Sequence, residues 1–165
     1  MIGADQGGAV SGRPAHPDRR NPMSDEIQFD GFDHLKTDPN LEIGEGIDVD
    51  FENGVIITIR RAGGRNVAYS QALTKRIPKK NRKLLPEEDR RMMAEVYAES
   101  IVIGWQGVTA NGELVPFSKE NVVKLFLAIP DLFQEIATQA NNLDNFLIEA
   151  SEETEKNLES LSDGH

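Results

Sequence analysis

Ile47-Asp48-Val49-Asp50-Phe51-Glu52-Asn53-Gly54-Val55-Ile56-Ile57-Thr58-Ile59-Arg60 decides the fold class of this chain. Ile47, Val49 and Phe51 alternate with Asp48, Asp50 and Glu52, and Val55, Ile57 and Ile59 alternate with Ile56, Thr58 and Arg60. Alternation of this kind puts one apolar row on a single face of a strand. Asn53-Gly54 between the two runs signals a β-hairpin, because both central residues of a type I′ turn take positive φ. We expect a hairpin over 47–60.

Downstream the period changes. Ala62-Gly63-Gly64-Arg65-Asn66 breaks the strand pattern, and Asn66 can cap a helix over 67–77 that ends before Pro78, with Val67, Ala68, Leu73 and Ile77 on its apolar side. Leu85-Pro86-Glu87-Glu88-Asp89 opens a longer helix, with proline in its first turn and acids facing the positive end of the dipole. Met92 or Met93, Val96, Tyr97, Ser100, Ile101 and Ile103 recur at helical spacing until Gly104, which reads as a C-cap beside Trp105. This helix is expected at the centre of the core. Asn111-Gly112, between Val108 and Leu114, Val115 and Phe117, signals a second hairpin or tight loop. Ser118 caps a helix bearing Val122, Val123, Leu125, Phe126 and Ile129 and ended by Pro130. Asp131 then caps a last helix, over about 131–149, with Leu132, Phe133, Ile136, Ala140, Leu143 and Leu147 as its stripe.

The ends read differently. Residues 1–22 are rich in glycine and proline and almost free of apolar side chains, which cannot offset the entropy of ordering, so they are expected to be a disordered extension. Met23-Ser24-Asp25-Glu26 looks like a second start. Phe29, Phe32 and Leu35 either begin the ordered domain or form a loose docking segment of apolar anchors. Beyond Ala150 the acids crowd, leaving Leu158 and Leu161 in an acidic tail. The expected organisation is an extension at 1–22, one domain at 23–150 and a tail at 151–165. Its fold class is α+β, mostly helical, with an N-terminal hairpin followed by about four helices.

Charge is blocked along the chain. Residues 24–59 carry ten acids against Lys36, for −9; residues 60–91 carry eleven bases against Glu87, Glu88 and Asp89, for +8. Residues 92–165 carry thirteen acids against Lys119, Lys124 and Lys156, for −10. Lys75, Arg76, Lys79, Lys80, Arg82 and Lys83 suit either nucleic-acid phosphates or a protein partner, or else form a solvated loop. The acidic flanks and the lack of interleaved aromatics favour the latter two over nucleic acid.

Several chemistries have no candidate residues. No cysteine is present, which excludes disulfides, thiolate catalysis and all-thiolate metal sites. His16, His34 and His165 offer no i, i+4 pair for zinc. No apolar run approaches the roughly 18 to 20 residues of a membrane span. Ser70, Ser100 and Ser118 have no nearby His and no GxSxG or SxxK pattern. Arg61-Ala62-Gly63-Gly64-Arg65-Asn66 lacks both Walker and dinucleotide spacing, which leaves Arg61 and Arg65 either as an anion contact or as solvated arginines flanking a tight turn. Trp105 reads as a core aromatic or as an interface anchor. We expect no enzyme, no cofactor and no metal.

Several phrases carry a family resemblance, in order. They are Phe32-Asp33-His34-Leu35-Lys36-Thr37-Asp38, Arg61-Ala62-Gly63-Gly64-Arg65-Asn66, Tyr97-Ala98-Glu99 and Gly104-Trp105-Gln106-Gly107-Val108. They continue through Asn111-Gly112, Pro116-Phe117-Ser118, Glu120-Asn121, Leu125-Phe126 and Ile129-Pro130-Asp131-Leu132. Over about residues 29–150 the chain resembles the tail assembly chaperones of bacteriophages and prophages with long, non-contractile tails. The resemblance implies a non-enzymatic, mostly helical, acidic protein of the host bacterial cytoplasm. Such a protein would bind the tape measure protein, help recruit tail tube protein, pair with itself or with a frameshifted long form, and leave the finished tail. With its acidic tail and no second domain, the chain looks like the short form. An exposed strip of Leu132, Phe133, Ile136, Leu143, Phe146 and Leu147 is the expected docking surface for a helix of the partner. The alternatives are a nucleic-acid-binding accessory protein using residues 60–91, and a structural component of the virion.

Overall fold

A computed structural model describes residues 27, 29–79 and 81–149. The extension at 1–22, the alternative start at Met23, Lys80 and the tail at 151–165 lie outside the described residues. Contacts divide the chain into Met1–Asp33 and His34–His165. In the first unit Ile27, Phe29 and Phe32 are exposed.

The second unit opens with α1, Pro39–Ile43, whose Asp38 side chain accepts from the Asn40 N–H at 2.8 Å and whose proline occupies the first turn. Then come β1, Ile47–Asp50, and β2, Ile56–Ile59, antiparallel as expected. Asn53 and Gly54 take φ of 64° and 75°. The turn nevertheless has three residues, Glu52–Gly54, closed by Phe51 N–H donating to the Val55 carbonyl at 2.8 Å. A two-residue turn would have paired Glu52 with Val55 and set the row of Ile47 and Val49 opposite Thr58 and Arg60. The observed register sets Ile47 against Ile59 and Val49 against Ile57, so both apolar rows share one face.

Next in the chain are α2, Val67–Arg76, and α3, Pro86–Ser100. Asn66 caps α2 by accepting from the Tyr69 N–H at 3.3 Å. The inward side of α2 is Tyr69, Ala72, Leu73 and Arg76, an i, i+3, i+4, i+7 stripe, whereas Val67, Ala68 and Ile77 are exposed. The expected face was wrong except at Leu73. Glu88 accepts from the Leu85 N–H at 3.0 Å and so satisfies a donor at the start of α3.

Gly104 is no C-cap. The helix ends at Ser100, and β3, Val102–Gln106, takes over because Ile101-Val102-Ile103 is β-branched throughout and pairs with β2. The sheet order is β1-β2-β3. Asn111 and Gly112, at φ of 53° and 82°, join β4, Thr109–Ala110, to β5, Glu113–Leu114.

Ser118 caps α4, Lys119–Ala128, by accepting from the Asn121 N–H at 3.0 Å. The last helix, α5, covers Pro130–Asn141, eight residues short of the expected end, and Asp131 does not cap it. Asn141 and Asn142 stop it: asparagine side chains compete for backbone groups, and the Asn142 carbonyl oxygen of the side chain accepts from the Asp144 N–H at 3.1 Å. Leu143–Phe146 form a 3-10 turn, and Leu147 bridges to Thr37.

The core lies between one face of the sheet and the helices. Ile57, Ile59, Ala94, Ile101, Val122, Phe126, Ile136 and Ala140 are fully buried in it. Tyr97 meets Tyr69 and Phe133 edge-on, and Phe126 stacks on Phe133 at 4.6 Å. The fold class is therefore α+β and mostly helical, with the expected four helices after the hairpin and α1 before it. Burial, with Tyr69 alongside, pushes the Tyr97 phenol up to about 12, so it stays neutral and accepts from Asn141 Nδ2 at 3.2 Å.

Two glycines differ in what a side chain would meet. A Cβ on Gly107, at φ 72°, would lie 2.3 Å from the Gly54 carbonyl oxygen, whereas one on Gly112 would meet nothing. Gly112→Ala should cost about 1 to 2 kcal/mol for its left-handed backbone alone. Gly107→Ala should add about 1 to 3 kcal/mol more, because the hairpin turn must move. Urea unfolding of the two variants measures the difference, and equal costs would refute the close packing of the two turns.

Candidate functional site

The loop joining β2 to α2 brings Arg61 and Arg65 together, and the anion they hold belongs to this chain. The Glu42 carboxylate on α1 is fully buried; Oε1 accepts from Arg61 Nη1, and Oε2 accepts from Arg65 Nη1 at 2.9 Å. Arg65 Nη1 also donates to Thr37 Oγ1 at 2.9 Å. A Cβ on Gly64 would lie 2.5 Å from both Arg61 Nη1 and Glu42 Oε1, which is why glycine stands beside the pair. Asn66 closes the loop, donating to the Arg61 carbonyl at 2.8 Å and the Ser100 carbonyl at 3.1 Å. Burial pushes the Glu42 carboxyl up, but hydrogen bonds from Arg61, Arg65 and Thr37 outweigh it and hold the group below 4.5.

Trp105 is half-buried. It pairs across the sheet with Ile57, packs against the core, and donates Nε1–H to the Val115 carbonyl at 2.9 Å. Phe117 meets it edge-on at 5.5 Å, and Leu114 beside it is exposed. This corner encloses about 350 Å³.

The expected strip along the last helix is divided by the early end of α5. Ile136 and Phe146 are fully buried, and Leu132, Phe133, Leu143 and Leu147 are half-buried. Leu143, Phe146 and Leu147 lie beyond α5, so the six residues do not form one helical face. Phe146 in particular is not an open position. Phe133 lines a groove of about 510 Å³ between α3 and α5, with Met93, Tyr97 and Ala137 as its other apolar walls.

A larger groove, of about 650 Å³, runs between α3 and α4 beside the end of α2. Ala98, Val123 and Leu127 form its apolar floor, and its rim alternates bases, Arg76, Arg91, Lys119 and Lys124, with the acids Glu95, Glu99 and Glu120. Sequence reasoning missed it. Its signal was present in Val123 and Leu127, an i, i+4 apolar pair flanking the buried Val122 and Phe126.

Among the described residues, no group of three or more His, Asp or Glu side chains is placed to hold a metal ion, and no helix is long and apolar enough to cross a membrane. What the architecture presents is an α+β domain with charged, apolar-floored furrows between its helices. A family model described as YdaY prophage protein matches residues 61–157, more than half of the chain, and the chain belongs to that family. No curated protein and no solved structure matches it.

Glu42 sets an acid limit on the domain. Its folded pKa is depressed, so its contribution to stability is complete above the ordinary value of 4.5 and is lost as pH falls through the lower folded value. Glu42→Gln should cost about 3 kcal/mol at neutral pH, the low end for a broken buried pair because Arg65 is half in water. The gap between wild type and variant should narrow as pH falls below 4.5. Urea midpoints from pH 3 to 7 test this, and a gap independent of pH would refute it.

Proposed function

We propose that this prophage protein is a tail assembly chaperone. It acts by binding, without catalysis: it holds the tape measure protein soluble in the host bacterial cytoplasm, helps recruit tail tube subunits, and is absent from the finished tail. The observation that carries the reading is a coincidence of position. The family match at 61–157 falls on the run of phrases from Arg61-Ala62-Gly63-Gly64-Arg65-Asn66 to Ile129-Pro130-Asp131-Leu132 that resemble tail assembly chaperones.

The surface supports a protein partner. Ile27, Phe29 and Phe32 are exposed apolar side chains within six residues, a pattern suited to anchoring on the apolar stripe of a helical client. A net charge of −10 keeps such a complex dispersed. In the basic block, Arg61 and Arg65 face Glu42, Arg76 faces Glu95 and Glu99, and Arg82 faces Glu88. That pairing weakens the block as a track for phosphates.

The test is co-purification of the full chain with the tape measure protein encoded nearby. The wild type should retain it, and Phe29→Asp with Phe32→Asp should lose it at least tenfold with an unchanged melting temperature. Failure of the wild type to retain the tape measure protein would overturn the reading. So would recovery of the chain from purified virions, or submicromolar DNA binding that weakens steeply with salt.

A further inference from the structure

The groove between α3 and α4 carries Arg76, Arg91, Lys119 and Lys124 against Glu95, Glu99 and Glu120. Arg76 at the end of α2 reaches Glu95 and Glu99, and Lys124 pairs with Glu120 at 2.7 Å. Arg91 and Lys119 make no direct ion pair among the described residues, and Lys119 is close enough to Glu99 to help Arg76 hold its carboxyl down. Arg76 lies beside the second half of α3. Arg91 on the rim is exposed. An apolar floor thus lies under a rim of four bases and three acids, with Arg91 and Lys119 outside the direct ion pairs.

We propose that this groove receives the chain's own residues 151–165. That segment carries Glu152, Glu153, Glu155, Glu159 and Asp163 against Lys156, for −4, and its two large apolar residues, Leu158 and Leu161, are three apart. Seated in the groove, the two leucines would meet Ala98, Val123 and Leu127, and the acids would meet Arg91 and Lys119. Nine residues from Glu149 to Leu158 span up to about 30 Å, comparable to the width of a domain whose radius of gyration is about 13 Å. Tethering makes the local concentration of the segment roughly millimolar, so a weak contact is enough to fill the groove. The family match continues to residue 157, which includes the first acids of this segment with the domain. The inference does not depend on the identity of any external partner.

The absence of cysteine makes a single thiol site-specific. Ser160→Cys carrying a nitroxide, in the full chain labelled with nitrogen-15, reads where the segment sits. Amide signals of residues 95–99 and 119–127 should lose at least half their intensity at low salt and recover in 1 M NaCl, where the Debye length is about 3 Å. Arg91→Glu with Lys119→Glu should abolish the loss while the rest of the amide spectrum keeps its dispersion. The salt response of the Ser160→Cys chain decides the matter even if that double variant does not fold. Broadening spread over the surface, centred elsewhere or absent would overturn the proposal. Equal broadening in a mixture of nitroxide-bearing unlabelled chain with nitrogen-15 chain lacking the nitroxide would also overturn it, assigning the groove to a second copy.

Discussion

The carboxylate of Glu42, held between two guanidinium groups, is the contact on which the edge of the domain depends. It sits on a helix of five residues, too short to persist alone, so α1 is held in place by what it touches. Through Arg61 and Arg65 the carboxylate ties α1 to the end of β2, and through Asn66 the same loop is tied to the end of α3. Thr37, which shares Arg65, bridges to Leu147. Beginning, middle and end of the described domain therefore converge on one buried charge, which has no neutral substitute of the same shape that keeps both arginines satisfied.

Around that edge the interior is organised by α3, which packs against α2 on one side, α4 on another and β3 at its end. Small residues make this possible: Ala94 and Ala98 let neighbouring elements approach closely, and Tyr97 fills the remaining space with an aromatic contact on either side. The helices pack onto α3 without closing over it. The furrow between α3 and α4 is floored by alanine, valine and leucine, the one between α3 and α5 by methionine, alanine and aromatic rings, and both are edged by both signs of charge.

Much of this was legible because it is local. Asn53-Gly54 and Asn111-Gly112 bend the chain through their own φ preferences, and Asn66 and Ser118 cap the helices that follow within three residues. What failed was decided at a distance. The hairpin register was set by matching two apolar rows, against the simplest turn for Asn-Gly. Ile101 to Ile103 fit a helical stripe, yet the open edge of β2 made them a strand. Asp38-Pro39 marked the start of α1 and went unread because so few apolar residues follow it. Of the candidate site, Arg61 and Arg65 were open to two readings, an anion contact or solvated arginines flanking a tight turn, and the Glu42 carboxylate that meets them lies 19 and 23 residues away, where no spacing rule links them. The groove over α3 draws on three helices, and only its α4 wall has a periodic signature.

The pairing of Leu147 and Ile148 with Lys36 and Thr37 has a mechanical meaning. Ile148 donates its N–H to the Lys36 carbonyl at 3.0 Å, and Asp38 donates to the Phe146 carbonyl at 2.8 Å. The polypeptide thus enters and leaves this domain at adjacent points, with few backbone bonds between them. Tension applied through the two ends loads those bonds one after another, as a zipper, before any of it reaches Phe126 or Ile57. The same adjacency means that a short splice across the two ends, with the chain reopened at the exposed Asn111-Gly112 turn, would preserve every core contact under a permuted order of elements.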